Sequence, residues 1–342
     1  MTIELVDALS KVKEAAGVLI DADKTIRSVG VGRAADGYGF QAVRNVKAAV
    51  PLASGTGAKK IPRDIAGIPV HFINSSRDPA SLARVPHSGP ASPGVGSLIP
   101  EQQFHRPLMC GLQIQNFDDD VRTGEIARGF IIIGTLGCFV QRDSGQIAIL
   151  TNNHVAAGEN RGVIGADRIQ QPGGSTFVAA MEVGELSQFV RLVDSPPGAT
   201  IVAGTVVLNE VDGALVDLSA GTAHIQNYLP SRTVTSPRGV AAASVGDKVH
   251  KVGRTTGLTF GTVTQVGAVV GPVPYAPGDV WFQQCLVVEG DNGTTFSDHG
   301  DSGSAIVRDD GMLVGLLFAG NGSQTYACAI DNVMRQLDCQ LA

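Results

Sequence analysis

The residues best suited to chemistry in this chain surround a serine near its C-terminus. The segment reads Gly300-Asp301-Ser302-Gly303-Ser304-Ala305-Ile306-Val307. A serine hydroxyl attacks a carbonyl only when a base takes its proton, so a nucleophilic Ser302 requires a partner elsewhere. The N–H groups of Gly300 and Ser302 can converge in such a turn and form an oxyanion hole. The alternative interpretation is an ordinary β-turn of Gly, Asp and Ser.

The candidate base is His154, which follows an apolar stretch that ends at Thr151. The end of a buried strand is a rigid platform from which an imidazole can serve as a general base. The alternative is a core histidine with a structural hydrogen bond. His224, in a loop-like context, and His250, inside a predicted strand, are weaker candidates for the base.

The candidate acid is Asp212, which immediately precedes the apolar run 214–216. A carboxylate buried there can hold the imidazole in one tautomer and stabilise the imidazolium. Asp217 competes for this role, but it lies further along the predicted strand, where we expect it to face solvent. The order His154, Asp212, Ser302 differs from the order in α/β-hydrolases and in subtilisins, and it matches chymotrypsin.

With these motifs, the chain resembles the trypsin/chymotrypsin-like serine proteases, bacterial members in particular. The matching segments are 151–157 around the histidine, 212–216 around the acid, 300–304 around the serine, the run Gly315-Leu316-Leu317-Phe318-Ala319-Gly320, and the Gly-rich hairpin Gly253-Arg254-Thr255-Thr256-Gly257-Leu258-Thr259-Phe260-Gly261. The resemblance covers about residues 107–342. It implies two six-stranded Greek-key β-barrels, a triad in the cleft between them and a C-terminal helix.

The resemblance also implies where a substrate binds. The strand before Gly320 should pair with the substrate backbone, and this assigns Phe318, Ala319 and Gly320 to substrate binding. Phe296 and Ser297 should belong to the pocket wall. Phe296 falls where trypsin has the acid that selects Lys and Arg, so we expect a different specificity.

Three departures from the family accompany this resemblance. Animal members pair the acid before the nucleophile with a newly cut N-terminus, whereas here a whole domain precedes the protease unit. An unpaired buried charge is very costly, so we expect Arg254 to form an ion pair with Asp301. His299 is expected on the rim of the site. Cys138 precedes His154 as in a disulfide of secreted members, but no cysteine follows closely, so we expect a packed free thiol.

The elements that must position these residues are mostly short strands. Gly is abundant, with 43 residues, and turn residues separate the apolar runs, which favours a mainly β protein. The runs are 25–31, 40–50, 68–73, 130–140, 148–151, 189–193, 201–207, 214–218, 248–252, 259–270, 280–289, 305–307, 313–319 and 325–330. A helix is predicted over 3–16 with a stop at Gly17, and a final helix after Asp331 with apolar positions that include Leu341.

The chain divides into three parts on these patterns. Residues 1–75 are predicted to form a small α+β domain of unassigned role, 76–106 a linker rich in Pro, Gly and Ser, and 107–342 the protease domain.

Net charge, the length of the apolar runs and the cysteine pattern exclude several classes of protein. The net charge is −6 with no basic block, which excludes electrostatic binding of nucleic acid. No apolar run is long enough to span a bilayer, and no signal-peptide pattern is present. The five cysteines contain no Cys-x-x-Cys pair, so neither a disulfide framework nor a metal site is expected, and a cytoplasmic location is predicted.

The sequence therefore predicts a serine endopeptidase that cleaves a protein or peptide substrate through an acyl-enzyme, without cofactor or metal. The alternative is a catalytically silent or latent protease-like module that binds peptides under control of the N-terminal domain. All three triad positions are filled, which favours the enzyme.

Overall fold

The computed structural model describes residues 3–35, 37–47, 61–81, 84–86 and 99–342. Part of the predicted linker, residues 82–83 and 87–98, lies outside these described residues. The described helices are α1 Leu5–Ala22, α2 Phe117–Arg122, α3 Asn153–Ala156 and α4 Ile330–Leu337, with short 3-10 helices at Pro100–Gln102, Ile126–Arg128, Ala179–Met181 and Asp291–Gly293.

Strands make up most of the rest. The strands up to residue 170 are β1 Ile26–Ala34, β2 Gly37–Asn45, β3 Asp64–Ile65, β4 Ile68–Ser75, β5 Ala80–Ser81, β6 Arg84–Pro86, β7 Leu108–Met109, β8 Gln113–Asn116, β9 Phe130–Thr135, β10 Cys138–Arg142, β11 Ile147–Thr151 and β12 Arg168–Gln170.

The later strands are β13 Glu182–Phe189, β14 Leu208–Asn209, β15 Ala214–Leu218, β16 His224–Ile225, β17 Gly239–Val240, β18 Lys248–Gly253, β19 Gly257–Tyr275, β20 Gly278–Gly290, β21 Ala305–Arg308, β22 Met312–Gly320, β23 Gln324–Ala329 and β24 Cys339–Leu341. The prediction of a mainly β protein with few helices is confirmed.

A first sheet is built mostly from strands between residues 84 and 218. Its order is β24-β10-β11-β15-β13-β12-β8-β9-β6. In it β11 and β15 are antiparallel neighbours, with Thr151 opposite Ala214. The residues after β11 therefore lie beside the residues before β15, which brings two distant parts of the chain to one end of this sheet.

The later strands form a second sheet. Its pairings run β18–β19–β20–β23–β22–β21 and return to β18, because β18 pairs with both β19 and β21. β21 begins directly after the serine turn, so the serine belongs to this sheet. One buried apolar cluster includes side chains of both sheets, such as Phe139, Leu150, Phe282 and Phe318, and thereby fixes one sheet against the other.

The N-terminal elements continue the second sheet. β1 pairs with β19, β2 pairs with β1, and β4 runs parallel to β2. Helix α1 covers these strands, and its buried positions recur at three- and four-residue intervals. The described strands up to residue 75 thus share a sheet with the later strands; the proposed boundaries at 75 and 106 stay a prediction.

Several local predictions were wrong. Most of the predicted strand 189–193 is irregular, because β13 ends at Phe189 and the following amides bond to Gly213 and to the side chain of Asn160. Helix α1 continues to Ala22, because Gly17 packs closely against Ile201 and Val202 and does not end the helix. Residues 201–207 form turns, held by the amide of Thr205 bonding to the carbonyl of Thr200. Leu341 lies in β24, which pairs with β10. No helix in the described part of the chain is both long and apolar enough to cross a membrane.

Candidate active site

The turn that carries Ser302 requires glycine at two positions. Gly300 has φ of +100° and Gly303 has φ of +90°, a region in which other residues are strained. A side chain at Gly300 would meet Thr255 and Arg254, and one at Gly303 would meet Thr151 and Thr135. The turn is therefore set by close packing on all sides.

A strand of the first sheet holds this turn. Thr135, the last residue of β9, donates its N–H to the carbonyl of Ser302 at 2.7 Å. Its hydroxyl donates to the carbonyl of Gly300 at 3.0 Å. With these carbonyls held on one side, the N–H groups of Gly300 and Ser302 donate to no acceptor among the described residues. They are free to bind an oxyanion, which is the chemistry predicted for this pair.

The hydroxyl of Ser302 points away from a base in this structure. It donates to the carbonyl of Phe318 at 3.4 Å. His154 Nε2 is buried and has no hydrogen-bond partner within the described ranges. Ser302 is 0% exposed and His154 1% exposed. The serine–histidine hydrogen bond is not formed, and solvent does not reach either group.

His154 and Asp212 are brought together by the pairing of β11 with β15. The Nδ1 of His154 lies 2.5 Å from Asp212 Oδ2, and the His154 N–H donates to Oδ1 at 3.2 Å. Asn152 donates its side-chain amide to the Asp212 carbonyl at 2.6 Å, which ties the two strand ends together. This contact fixes the plane of the imidazole and leaves Nε2 as the nitrogen able to accept a proton.

Tyr275, at the end of β19, is a site residue that the sequence did not reveal. Its hydroxyl donates to Asp212 Oδ2 at 2.8 Å. Burial, and then the nearby Asp212 carboxylate, raise the pKa of Tyr275 well above its ordinary value, so the phenol keeps its proton. The second sheet thus supplies a donor to the acid of the first. A tyrosine 63 residues from Asp212 in sequence carries no local signal of this contact.

Asp301 pairs with a different cation from the one expected. Its Oδ2 lies 3.3 Å from the Nζ of Lys251, and both side chains are 0% exposed. Arg254 donates instead to Gln113 Oε1 at 2.7 Å, and in the described residues it forms no ion pair with Asp301. The predicted Asp301–Arg254 pair is wrong because Lys251, on β18, points inward beneath the turn while Arg254 turns toward β8.

Backbone donors complete the surroundings of Asp301. The N–H groups of Thr255 and Asp298 donate to its carboxylate at 2.8 and 3.0 Å. The hydroxyl of Thr256 donates at 2.7 Å. Burial lowers the pKa of the Lys251 ammonium, and the charge of Asp301 opposes that shift. The hairpin of residues 253–261 therefore does serve the serine turn, through its backbone and Thr256.

The competing triad candidates lie elsewhere. Asp217 is partly exposed and faces Arg142, with 3.3 Å between NH1 and Oδ1. His224 is exposed and contacts the carbonyl of Thr222. His250 is buried in the second sheet, where its Nε2 lies 2.9 Å from the carbonyl of Thr235. In each case the contact found is a structural one.

A cavity of about 480 Å³ lies beside the serine turn. Its walls include Ser297, Asp298, His299, Gly320 and Asn321. His299 is exposed, as expected for a rim position. Four further residues of the wall, Ser76, Arg77, Asp78 and Ala80, come from the segment after β4.

Two residues assigned to substrate binding are in the core instead of the cavity wall. Phe296 is 2% exposed and packs in the apolar cluster of the second sheet, where Gly261 leaves room for its ring. Phe318 directs its ring onto Phe282, with 4.5 Å between centroids, and presents only its carbonyl to Ser302. Ser297 lines the cavity with Gly320, and its hydroxyl lies 2.6 Å from that of Thr325.

Comparisons with known proteins identify the family of this chain. The family model described as Trypsin matches residues 137–334, more than half of the chain. The rice (Oryza sativa subsp. japonica) protein NARROW LEAF 1 is 26% identical over 257 residues, which are 68% of this chain and 41% of that protein. The chain thus spans about two fifths of that relative.

Solved structures of proteases also match. A Nocardiopsis protease has 16% identity and a TM-score of 0.46, over 68% of this chain and 98% of its own. A glutamic acid specific serine protease has 16% identity and a TM-score of 0.46, over 69% and 100%.

Proposed function

The chain belongs to the trypsin family, and from this premise we propose that it is a serine endopeptidase of the bacterial type that acts through His154, Asp212 and Ser302. The observation that carries the proposal is the buried contact of 2.5 Å between His154 Nδ1 and Asp212. A histidine held by a carboxylate supplies the base that a glycine-flanked serine needs for acyl transfer. Two Greek-key barrels with the site between them are part of this proposal, supported by the closed circuit of pairings in the second sheet.

The proposed mechanism requires the Ser302 hydroxyl to rotate from the carbonyl of Phe318 to His154 Nε2. His154 Nε2 takes the proton of Ser302 as its oxygen bonds to the carbonyl carbon of the peptide, and the carbonyl electron pair moves onto oxygen. The N–H groups of Gly300 and Ser302 stabilise that oxyanion. The C–N bond then breaks, and His154 gives its proton to the departing amine. Water, activated by the same imidazole, hydrolyses the ester.

The substrate is proposed to be a protein or peptide in extended conformation. Ala319 and Gly320, at the end of β22, would pair with its backbone. Its side chain would enter the cavity lined by Ser297 and Gly320. Our expectation that the specificity differs from the Lys/Arg preference of trypsin rests on Phe296, which is buried and places no carboxylate at the position of trypsin's selecting acid. The cytoplasmic location remains a prediction.

Labelling with a fluorophosphonate probe tests this function. We expect covalent labelling and peptide-library cleavage by the unsubstituted chain, and loss of both in Ser302→Ala. Ser144→Ala, which removes an exposed hydroxyl from a turn of the first sheet, is the matched control and should behave as the unsubstituted chain.

A silent or latent peptide-binding module is the second candidate. The observation favouring it is that the Ser302 hydroxyl bonds to Phe318 while His154 Nε2 lacks a partner among the described residues. Absence of labelling in every form of the chain, together with retained peptide binding, would establish the module and exclude the enzyme.

A further inference from the structure

The edge proposed to bind substrate already carries a strand of this chain. β5 pairs antiparallel with β22, with Ser81 opposite Ala319 and Ala80 opposite Gly320. On its other side this end of β22 pairs with β23. β5 therefore uses the edge that an added peptide strand would otherwise occupy.

The same stretch of chain then reaches the other sheet. The backbone of β6 pairs antiparallel with β9, where residues 84–86 lie opposite 132–130. β9 is also the strand whose last residue, Thr135, holds the serine turn. Within seven residues of sequence the chain is thus paired first with the sheet that carries Ser302 and then with the sheet that carries His154.

The two residues of β5 line two cavities of the candidate site. Ala80 lies in the wall of the cavity formed with Ser297 and Gly320. Ser81 lies in the wall of a second cavity, of about 430 Å³, that also contains His154. A peptide strand added to the β22 edge would occupy the space that β5 fills, and Ser302 and His154 are both buried here.

The residues before β5 are anchored to the N-terminal strands. Asp78 Oδ1 lies 2.5 Å from the Nε of Arg27 in β1. The side-chain amide of Asn45, at the end of β2, donates to the same oxygen at 2.8 Å. A tethered segment acts at an effective concentration in the millimolar range, which lets a weak contact compete with free peptide.

We propose that β5, followed in the chain by β6, is a resident, substrate-like occupant of the β22 edge and that it competes with peptide substrates in the intact chain. The inference rests on the proposed function, because it names the occupant of that site. Alanine and serine suit the role, since β5 needs only its backbone to pair. The N-terminal strands act through Asp78 to keep β5 in place.

Two proline substitutions in the full chain test the contact. Ala80→Pro/Ser81→Pro keeps the backbone extended and removes both N–H donors of β5. The exchange Ala80→Ser/Ser81→Ala is the matched control, because it retains composition and both donors. Circular dichroism and thermal unfolding establish that both variants are folded, and amide exchange at 319–320 reports whether β5 has left the edge.

Binding is measured first, without catalysis. In a Ser302→Ala background, a fluorescein-labelled peptide with the sequence of residues 76–86 is titrated and followed by anisotropy. We expect about tenfold tighter binding to the proline variant than to the exchange control. Equal binding to both would overturn the inference, whatever the activity of the chain.

Fluorophosphonate labelling with Ser302 intact separates the two proposals. About tenfold faster labelling of the proline variant than of the exchange control supports the occupant. Equal and rapid labelling of both overturns it and leaves the endopeptidase standing. Tighter peptide binding with no labelling in any variant supports the occupant and refutes the endopeptidase.

Discussion

Two aspartates of the candidate site, Asp212 and Asp301, are fully buried, and their carboxylates have different kinds of partner. Asp212 meets an imidazole and a phenol, from His154 and Tyr275. Asp301 meets the ammonium of Lys251 and several N–H and O–H donors of the neighbouring hairpin.

Asp212 contacts a side chain that can exchange a proton, whereas Asp301 is held in an ion pair. An imidazole can both accept and donate a proton, so the contact with Asp212 suits the proposed proton transfer. Lys251 and Asp301 form a buried ion pair beneath the serine turn, so we expect this pair to hold the conformation of the turn. We therefore expect loss of Asp212 to affect rate and loss of Lys251 to affect stability.

The largest effect is expected at Asp212. Asp212→Asn keeps the shape of the side chain but favours the wrong imidazole tautomer, and should lower kcat by about 10⁴-fold. The measurement is peptide hydrolysis, with thermal unfolding as a check of the fold. Asp217→Asn, the other acid of the same strand region, is the control. If Asp217→Asn were the more damaging of the two, the assignment of the acid would be wrong.

The next effect is expected at Lys251. Lys251→Met leaves the carboxylate of Asp301 buried without a cation and should lower the free energy of unfolding by about 3 kcal/mol. Denaturant unfolding measures this. Arg254→Met removes a cation from the adjacent hairpin that does not pair with Asp301, and should cost about 1 kcal/mol.

A second substitution at Asp301 tests the same ion pair. Lys251→Met combined with Asp301→Asn should recover part of the lost stability, because no unpaired charge remains. Equal losses in Lys251→Met and Arg254→Met would contradict the assignment of Lys251 as the partner.

The smallest effect is expected at Tyr275. Tyr275→Phe removes one hydrogen bond to a charged group and should lower kcat about tenfold, with KM within about twofold. Tyr228→Phe is a matched control, since the buried Tyr228 hydroxyl has no partner in the described part of the chain. If the two variants lost similar stability and had the same kcat, Tyr275 would contribute to packing and not to the rate.

The sequence predicted the parts of the site that lie in short, continuous motifs. Ser302 and its glycines occupy a single turn, and the carboxylate that meets the imidazole of His154 comes from the start of a neighbouring strand, as the apolar runs indicated. The mainly β class followed from turn residues between those runs.

Contacts made across the fold could not be predicted in this way. Lys251 lies within a strand run, and its inward direction depends on the pairing of β18 with both β19 and β21. Tyr275 reaches Asp212 only because the end of a 19-residue strand passes the other sheet. The ring of Phe296 follows the space left by Gly261, a contact that no spacing encodes.

The two hydrogen bonds from Thr135 also make the shape of the serine turn depend on both sheets. Thr135 precedes Ser302 in the chain, so the strand that shapes the serine turn is made before the turn itself. A chain with only its later half folded would contain Ser302 but would lack the two hydrogen bonds that hold its turn. Docking of the two sheets is therefore needed for the conformation of the turn, and with it for the role proposed for Ser302.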